Sequence, residues 1–178
     1  MKKLISAMAC VSLFMSVFMM SARAEGIKAG KWSITSSYKT GDIPPEYAAN
    51  LKMMENMTPE MKQMMDKTMK EVFKKRGMEL QSIDFQSMSM TIAQCLTQQA
   101  PIPFSMSEYC QETHEINGNV VHFKMTCGNS QTASETTGSL TFNGDVMEGE
   151  MISDARFMNQ ALHSISKISG QYVGPCTP

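Results

Sequence analysis

The chain has no excess of basic charge: 16 lysines and arginines stand against 17 acids, a formal net charge of −1. A protein that grips nucleic acid needs a basic face to displace counterions from phosphates, so that class is excluded on electrostatic grounds. No C-x-x-C pair occurs, and no histidine sits at ligand spacing from a cysteine, which argues against structural zinc and against a dithiol redox centre. There is no G-x-S-x-G elbow and no glycine loop leading from a strand into a helix to cradle a phosphate. Only three histidines are present, His114, His122 and His163. None has a partner arrangement that reads as a nucleophile–base pair, and the acids Glu112, Glu115, Glu148 and Glu150 form no acid/base couple. The expectation is a non-enzymatic protein without cofactor.

What is present begins with an export signal. Lys2 and Lys3 precede an apolar run from Leu4 to Met20, and Ala22-Arg23-Ala24 follows as an A-x-A cleavage site. At 17 residues the run is at the lower limit for a membrane span, and its small-residue end favours cleavage. Met1 to Ala24 thus reads as a signal peptide, and residues 25–178 as a single periplasmic or secreted domain with no transmembrane anchor after cleavage. The mature part is near −4. Residues 45–79 hold seven basic and six acidic groups, whereas residues 80–178 hold three basic against nine acidic.

Four cysteines remain after cleavage: Cys95, Cys110, Cys127 and Cys176. An even count in an exported chain implies two disulfides. Tyr109 to Ile116 and Val120 to Cys127 read as strands around Asn117-Gly118-Asn119. A two-residue II′ turn at Gly118-Asn119 pairs positions whose numbers sum to 237, so Cys110 faces Cys127. Directly opposed side chains are close enough for a bridge after slight distortion. Cys95 is then left for Cys176, closing a loop of roughly 80 residues and contributing about 4–5 kcal/mol in the chain-entropy picture.

Elsewhere, Trp32, Ile34 and Tyr38 alternate with polar residues in a half-buried strand. Gly41 to Pro45 breaks it, and a helical segment over 46–76 follows in two pieces. Thr58-Pro59-Glu60 opens the second piece as cap, first-turn proline and first-turn acid; Gly77 after Lys74-Lys75-Arg76 closes it. From about Gln81 the period becomes two, with Met88, Met90 and Ile92 on one face of a strand running into Cys95. Ala100-Pro101-Ile102-Pro103 is a loop. Ser134 to Phe142 and Asp145 to Ser153 flank Asn143-Gly144, a type I′ hairpin signal. A last strand spans about Ser164 to Tyr172, and Phe157 to Ile165 fits helix or strand equally. The fold class is therefore mainly β with a helical insertion: an up-and-down antiparallel sheet of about seven strands, curled into a barrel or half-barrel. The Met-rich helices pack against it or cap it.

The G-K-W-x-I opening, Gln94-Cys95-Leu96-Thr97 and the Cys110…Gly118-Asn119…Cys127 hairpin are followed by Gly138…Thr141-Phe142-Asn143-Gly144-Asp145…Gly149. The chain closes on Ile168-Ser169-Gly170…Gly174-Pro175-Cys176. In this order they resemble domain-of-unknown-function family 3617, small exported bacterial proteins. The resemblance covers nearly the whole mature chain and implies an antiparallel β-domain with the same four cysteines. It implies no activity, and it is weakest over residues 45–79.

That segment holds the least ordinary feature. Eight of the fifteen methionines after residue 24 lie between Met53 and Met78. Met61, Met64, Met65, Met69, Val72 and Phe73 fall on one helical stripe; Tyr47, Leu51, Met54 and Met57, helped by Met53, form another. Such stripes serve as adaptable core filler, and the bland expectation is packing on the sheet. A sharper one is a deformable surface for a lipid or an apolar protein segment, lined by Met54, Met57, Met61, Met64, Met65, Met69 and Phe73. A third is a thioether site for Cu(I) at Met61, Met64 and Met65.

Overall fold

The computed structural model describes residues 26–41, 56–104, 110–128, 132–157 and 160–176. The expected signal peptide and the first piece of the expected helical segment, with Tyr47, Leu51, Met53 and Met54, lie outside them. Eight strands form one antiparallel sheet: β1 (Gly30–Gly41), β2 (Met78–Asp84), β3 (Ser89–Leu96), β4 (Cys110–Asn117), β5 (Val120–Gly128), β6 (Thr132–Asn143), β7 (Val146–Phe157) and β8 (Gln160–Gly174). The spatial order is β2-β3-β1-β8-β7-β6-β5-β4, so the curled sheet stays open between β2 and β4. One helix, α1 (Pro59–Lys75), lies against the β2 edge. No helix among the described residues is long and apolar enough to cross a membrane.

The inner face follows from register, because paired residues share a side of the pleat. Ile92, Ile34, Gly170, Met147 and Phe142 lie in one row across five strands. Met90, Ser36, Ile168, Gly149, Leu140 and Val121 form the next. The curl depends on the glycines in these rows. A Cβ on Gly170 would lie 2.7 Å from the Met147 methyl, and one on Gly149 would overlap the Ser139 carbonyl and Leu140. Leu140 and Met147 therefore lie flat over bare backbone, which lets the sheet bend sharply around them.

One end of the half-barrel is packed shut. Trp32 meets Phe142 and Tyr172 edge-on, at centroid distances of 5.4 and 5.7 Å, and its indole N–H donates to the Lys28 carbonyl at 3.0 Å. Ile27, Pro101, Ile102 and Pro103 are buried against this cluster. The Phe104 N–H donates to Gln94 Oε1 at 3.1 Å, fixing the proline loop over the Trp32 row. Cys95 and Cys176 tie the chain end to β3 with Cα atoms 5.8 Å apart. Cys110 lies opposite Cys127 at 4.0 Å, in the register that sums to 237.

The sequence expectations need correction in three places. The strand expected from Gln81 into Cys95 is a hairpin, β2–β3. Its turn is held by the Asp84 carboxylate, which accepts from the Gln86 N–H, the Ser87 N–H and the Ser87 hydroxyl. Met88 sits in that turn at φ 46° rather than on a strand face. A bulge between Leu80 and Ser82 puts both Leu80 and Ile83 inside, a spacing of three that a period of two cannot detect. The β6–β7 turn is Gly144-Asp145, not Asn143-Gly144: Asn143 pairs with Val146, and only Gly144 has positive φ. The expected register would put Asp145 opposite Phe142 on the inner face. The observed one pairs Phe142 with Met147 and leaves Asp145 outside, in an ion pair with Lys28. The choice left open for 157–165 falls to strand: β7 runs to Phe157 and β8 begins at Gln160.

Candidate ligand-binding site

The helix that flanks the opening forms as its sequence dictates. The Thr58 hydroxyl accepts from the Met61 N–H at 3.3 Å, Pro59 supplies the first turn, and the Gly77 N–H closes on the Lys74 carbonyl at φ +72°. The Met stripe is graded along it. Phe73 is 6% exposed and joins the main core, Met69 and Met65 are half-buried, and Met61 and Met64 are 50% and 68% exposed. The C-terminal half of α1 is thus the anchor, and its N-terminal half stands beside the open end.

There, Lys62, Met65, Asp66 and Met69 face the β2–β3 hairpin tip, Ile83 to Gln86, across a groove of about 710 Å³. This is within the range of roughly 300–1,000 Å³ usual for small-molecule sites. A second volume of about 300 Å³ shares Met69, Ile83, Asp84 and Phe85 with it and continues to Ser36, Tyr38, Met90 and Ser166 on the concave face. The two adjoin along the four shared residues, one on the helix–hairpin cleft and the other on the concave face of the half-barrel.

The concave face at this end is polar where the closed end is apolar. Tyr38 pairs with Ser166, and Ser166 with Met151. One row further out, Ser164, Ser153 and Thr136 lie side by side, with the Ser153 and Thr136 hydroxyls 2.8 Å apart. Glu112 and His114 of β4 face the same side, with 3.9 Å between Oε1 and Nδ1. The groove's own carboxylates are already engaged. Asp66 pairs with Lys70 at 2.7 Å, and the hydrogen bonds to Asp84 hold its carboxyl below the ordinary value of 3.8.

Of the sequence-selected residues, the structure brings Met65 and Met69 into the groove and puts Phe73 beneath it in the core. Met57 is half-buried just before α1, Met61 and Met64 lie on the open side of the helix, and Met54 falls outside the described residues. Met61, Met64 and Met65 share one helical face with unequal exposure. No cluster of histidine, cysteine or acid able to hold a metal occurs among the described residues. The four cysteines lie away from the groove walls, at the two ends of the covalent framework. Sequence reasoning missed Ile83, Phe85, Ser36 and Ser166. Asp84 with Ser87 three residues on was the available turn signal, and reading it would have put Ile83 and Phe85 at a hairpin tip.

Neither a curated protein nor a solved structure matches the chain. A family model does match, over residues 27–176, which takes in the whole sheet, the helix and both cysteine pairs. The chain belongs to the family described as protein of unknown function DUF3617.

Proposed function

We propose that this is a non-enzymatic binding module of the bacterial envelope, exported to the periplasm, which holds a hydrophobic ligand or an apolar client segment. The observation that carries this reading is the groove whose apolar lining is Met65 and Met69 on one wall and Ile83 and Phe85 on the other. Two methionines on one wall can re-pack around ligands of differing shape, because the thioether side chain is unbranched and polarisable. The other wall is a hairpin tip fixed by three hydrogen bonds to Asp84, so an adaptable side-chain surface faces a fixed backbone turn. The export signal and the paired cysteines support the compartment. Native mass spectrometry of protein purified from the periplasm tests the reading, together with titration by a hydrophobic dye. Co-purified apolar mass, and dye binding that weakens on Met69→Gln or Phe85→Gln, are expected. A clean apo mass with no dye binding above background refutes it.

A further inference from the structure

We infer that the ligand is a single-chain amphiphile with an uncharged, hydroxyl-bearing head, of the monoacylglycerol class. This rests on the groove reading above and adds the chemistry of the ligand's polar end. The two adjoining volumes are chemically distinct. The outer one is walled by Met65, Met69, Ile83 and Phe85, which suits an acyl chain. The inner one opens on Ser36, Tyr38 and Ser166. Beyond these, register puts Ser164, Ser153 and Thr136 in a continuous band on the same concave face. All are half-buried; the Tyr38 hydroxyl donates to the Gly41 carbonyl at 2.6 Å and those of Thr136 and Ser153 bond each other, so these three keep accepting lone pairs for a bound molecule, and the Ser36, Ser164 and Ser166 hydroxyls lie on the same concave face. Hydroxyls donate and accept equally, which matches a head that does the same.

Charge decides between head classes. An anionic head, carboxylate or phosphate, would enter a site walled by Asp66 and Asp84 with Glu112 on the same face, and Lys62 on its rim has an interaction of its own. A cationic head would need an acid to pair with. Asp66 is already paired with Lys70 and Asp84 accepts from Gln86 and Ser87, while Glu112, in the register row of Thr136, Ser153 and Ser164, is the carboxylate a cation would reach only by leaving the hydroxyls, a contest the amine probe below decides. Bringing a charge out of water without a partner is costly, whereas a diol transferred onto a hydroxyl band exchanges one set of hydrogen bonds for another. The neutral head is the one the hydroxyl band satisfies without a counter-ion.

The test uses the full mature protein and three probes of equal chain length: monooleoylglycerol, oleate and oleylamine, each competing below its aggregation threshold with a groove-bound hydrophobic dye. Monooleoylglycerol is expected to displace the dye at roughly tenfold lower concentration than either charged probe. Ser164→Val and Ser166→Val are each expected to weaken it by roughly threefold to tenfold relative to oleate measured on the same variant, with each competition referred to that variant's own dye affinity, because the head contacts are lost and the acyl contacts are shared. If oleate or oleylamine competes as well or better, or if both valine variants keep full affinity for monooleoylglycerol, the head assignment is wrong while the groove stands. If the dye does not bind at all, the groove reading itself falls.

Discussion

Phe73→Ala separates the helix from the sheet more directly than any other single change. Phe73 is the one described residue of α1 that is fully buried, at 6% exposure, and the helix is otherwise held by the half-buried Met65 and Met69. Truncating a buried phenylalanine costs about 3–5 kcal/mol, through lost transfer energy and the cavity left behind. A helix of 17 residues is marginal in water by itself, so its order comes from docking rather than propensity. Taking about 3 kcal/mol from that docking raises the undocked population by more than a hundredfold, roughly tenfold per 1.4 kcal/mol. Hydrogen exchange read by mass spectrometry should then show the amides of 59–75 losing protection, with tryptic cleavage accelerating at Lys67 and Lys70. The central strands β1, β8 and β7 should keep more of their protection, because the Trp32 end packs without α1. Dye binding in the groove should be lost with the helix. Met61→Ala is the control: at 50% exposure it should change stability by no more than about 0.5 kcal/mol. If α1 amides in the Phe73→Ala protein exchange as slowly as before, the helix is held by something other than this anchor and the account of the groove wall is wrong.

Gly149→Ala should destabilise far more than Gly118→Ala in urea denaturation. The first puts a methyl against the Ser139 carbonyl and Leu140, while the second meets nothing within 4 Å and strains only a positive φ of 63°, about 1 kcal/mol. Equal effects would show that close packing under Leu140 does not set the curl. Removing Cys95 and Cys176 together should cost about 4–5 kcal/mol, against about 3 for Cys110 with Cys127, because the separations are 81 and 17 residues. A reversed order in thermal melts would overturn the entropic account. Asp84 has a depressed folded pKa, so its contribution is fully present above the ordinary carboxylate value of 3.8 and is lost as pH falls through the lower folded value. Asp84→Asn should abolish that part of the acid dependence, and an unchanged acid limb in the variant would contradict the turn's role.

Legibility in the sequence followed how local each feature is. The β4–β5 hairpin was readable because Gly118 and the two cysteines fix a single register within 18 residues. The second half of the helix was readable because Thr58, Pro59 and Gly77 each act on their own turn. The β6–β7 register was misread by one turn position. The choice between Asn143-Gly144 and Gly144-Asp145 rests on whether Asp145 must face Phe142, a consequence of the inner face and not of the turn. The β2–β3 hairpin was hidden because a bulge at Leu80–Ser82 breaks the period that announces strands. Half of the groove was hidden with it. Methionines at helical spacing drew attention to one wall, but Ile83 and Phe85 form the other only once the hairpin is known. The serine band is harder still, since it exists only across strands distant in sequence.

The open end and the closed end are consequences of one arrangement. Glycine at 170 and 149 lets Met147 and Leu140 lie flat, so the sheet bends tightly where the large side chains Trp32, Phe142 and Tyr172 fill the interior. Toward the other rim the inner positions change to Ser36, Ser164, Ser166, Ser153 and Thr136, which are too small to fill the same cross-section. A sheet curled by its packed end cannot flatten at its other end to expel the space, because both ends belong to the same strands. The remaining volume must be covered by something outside the sheet, and among the described residues α1 lies on its β2 side. A core built for stability alone would continue leucine and isoleucine to the rim. Serine and threonine there weaken the core and keep a polar concavity beside an adaptable methionine wall, which is the arrangement that the proposed ligand, with one apolar and one hydrogen-bonding end, would require.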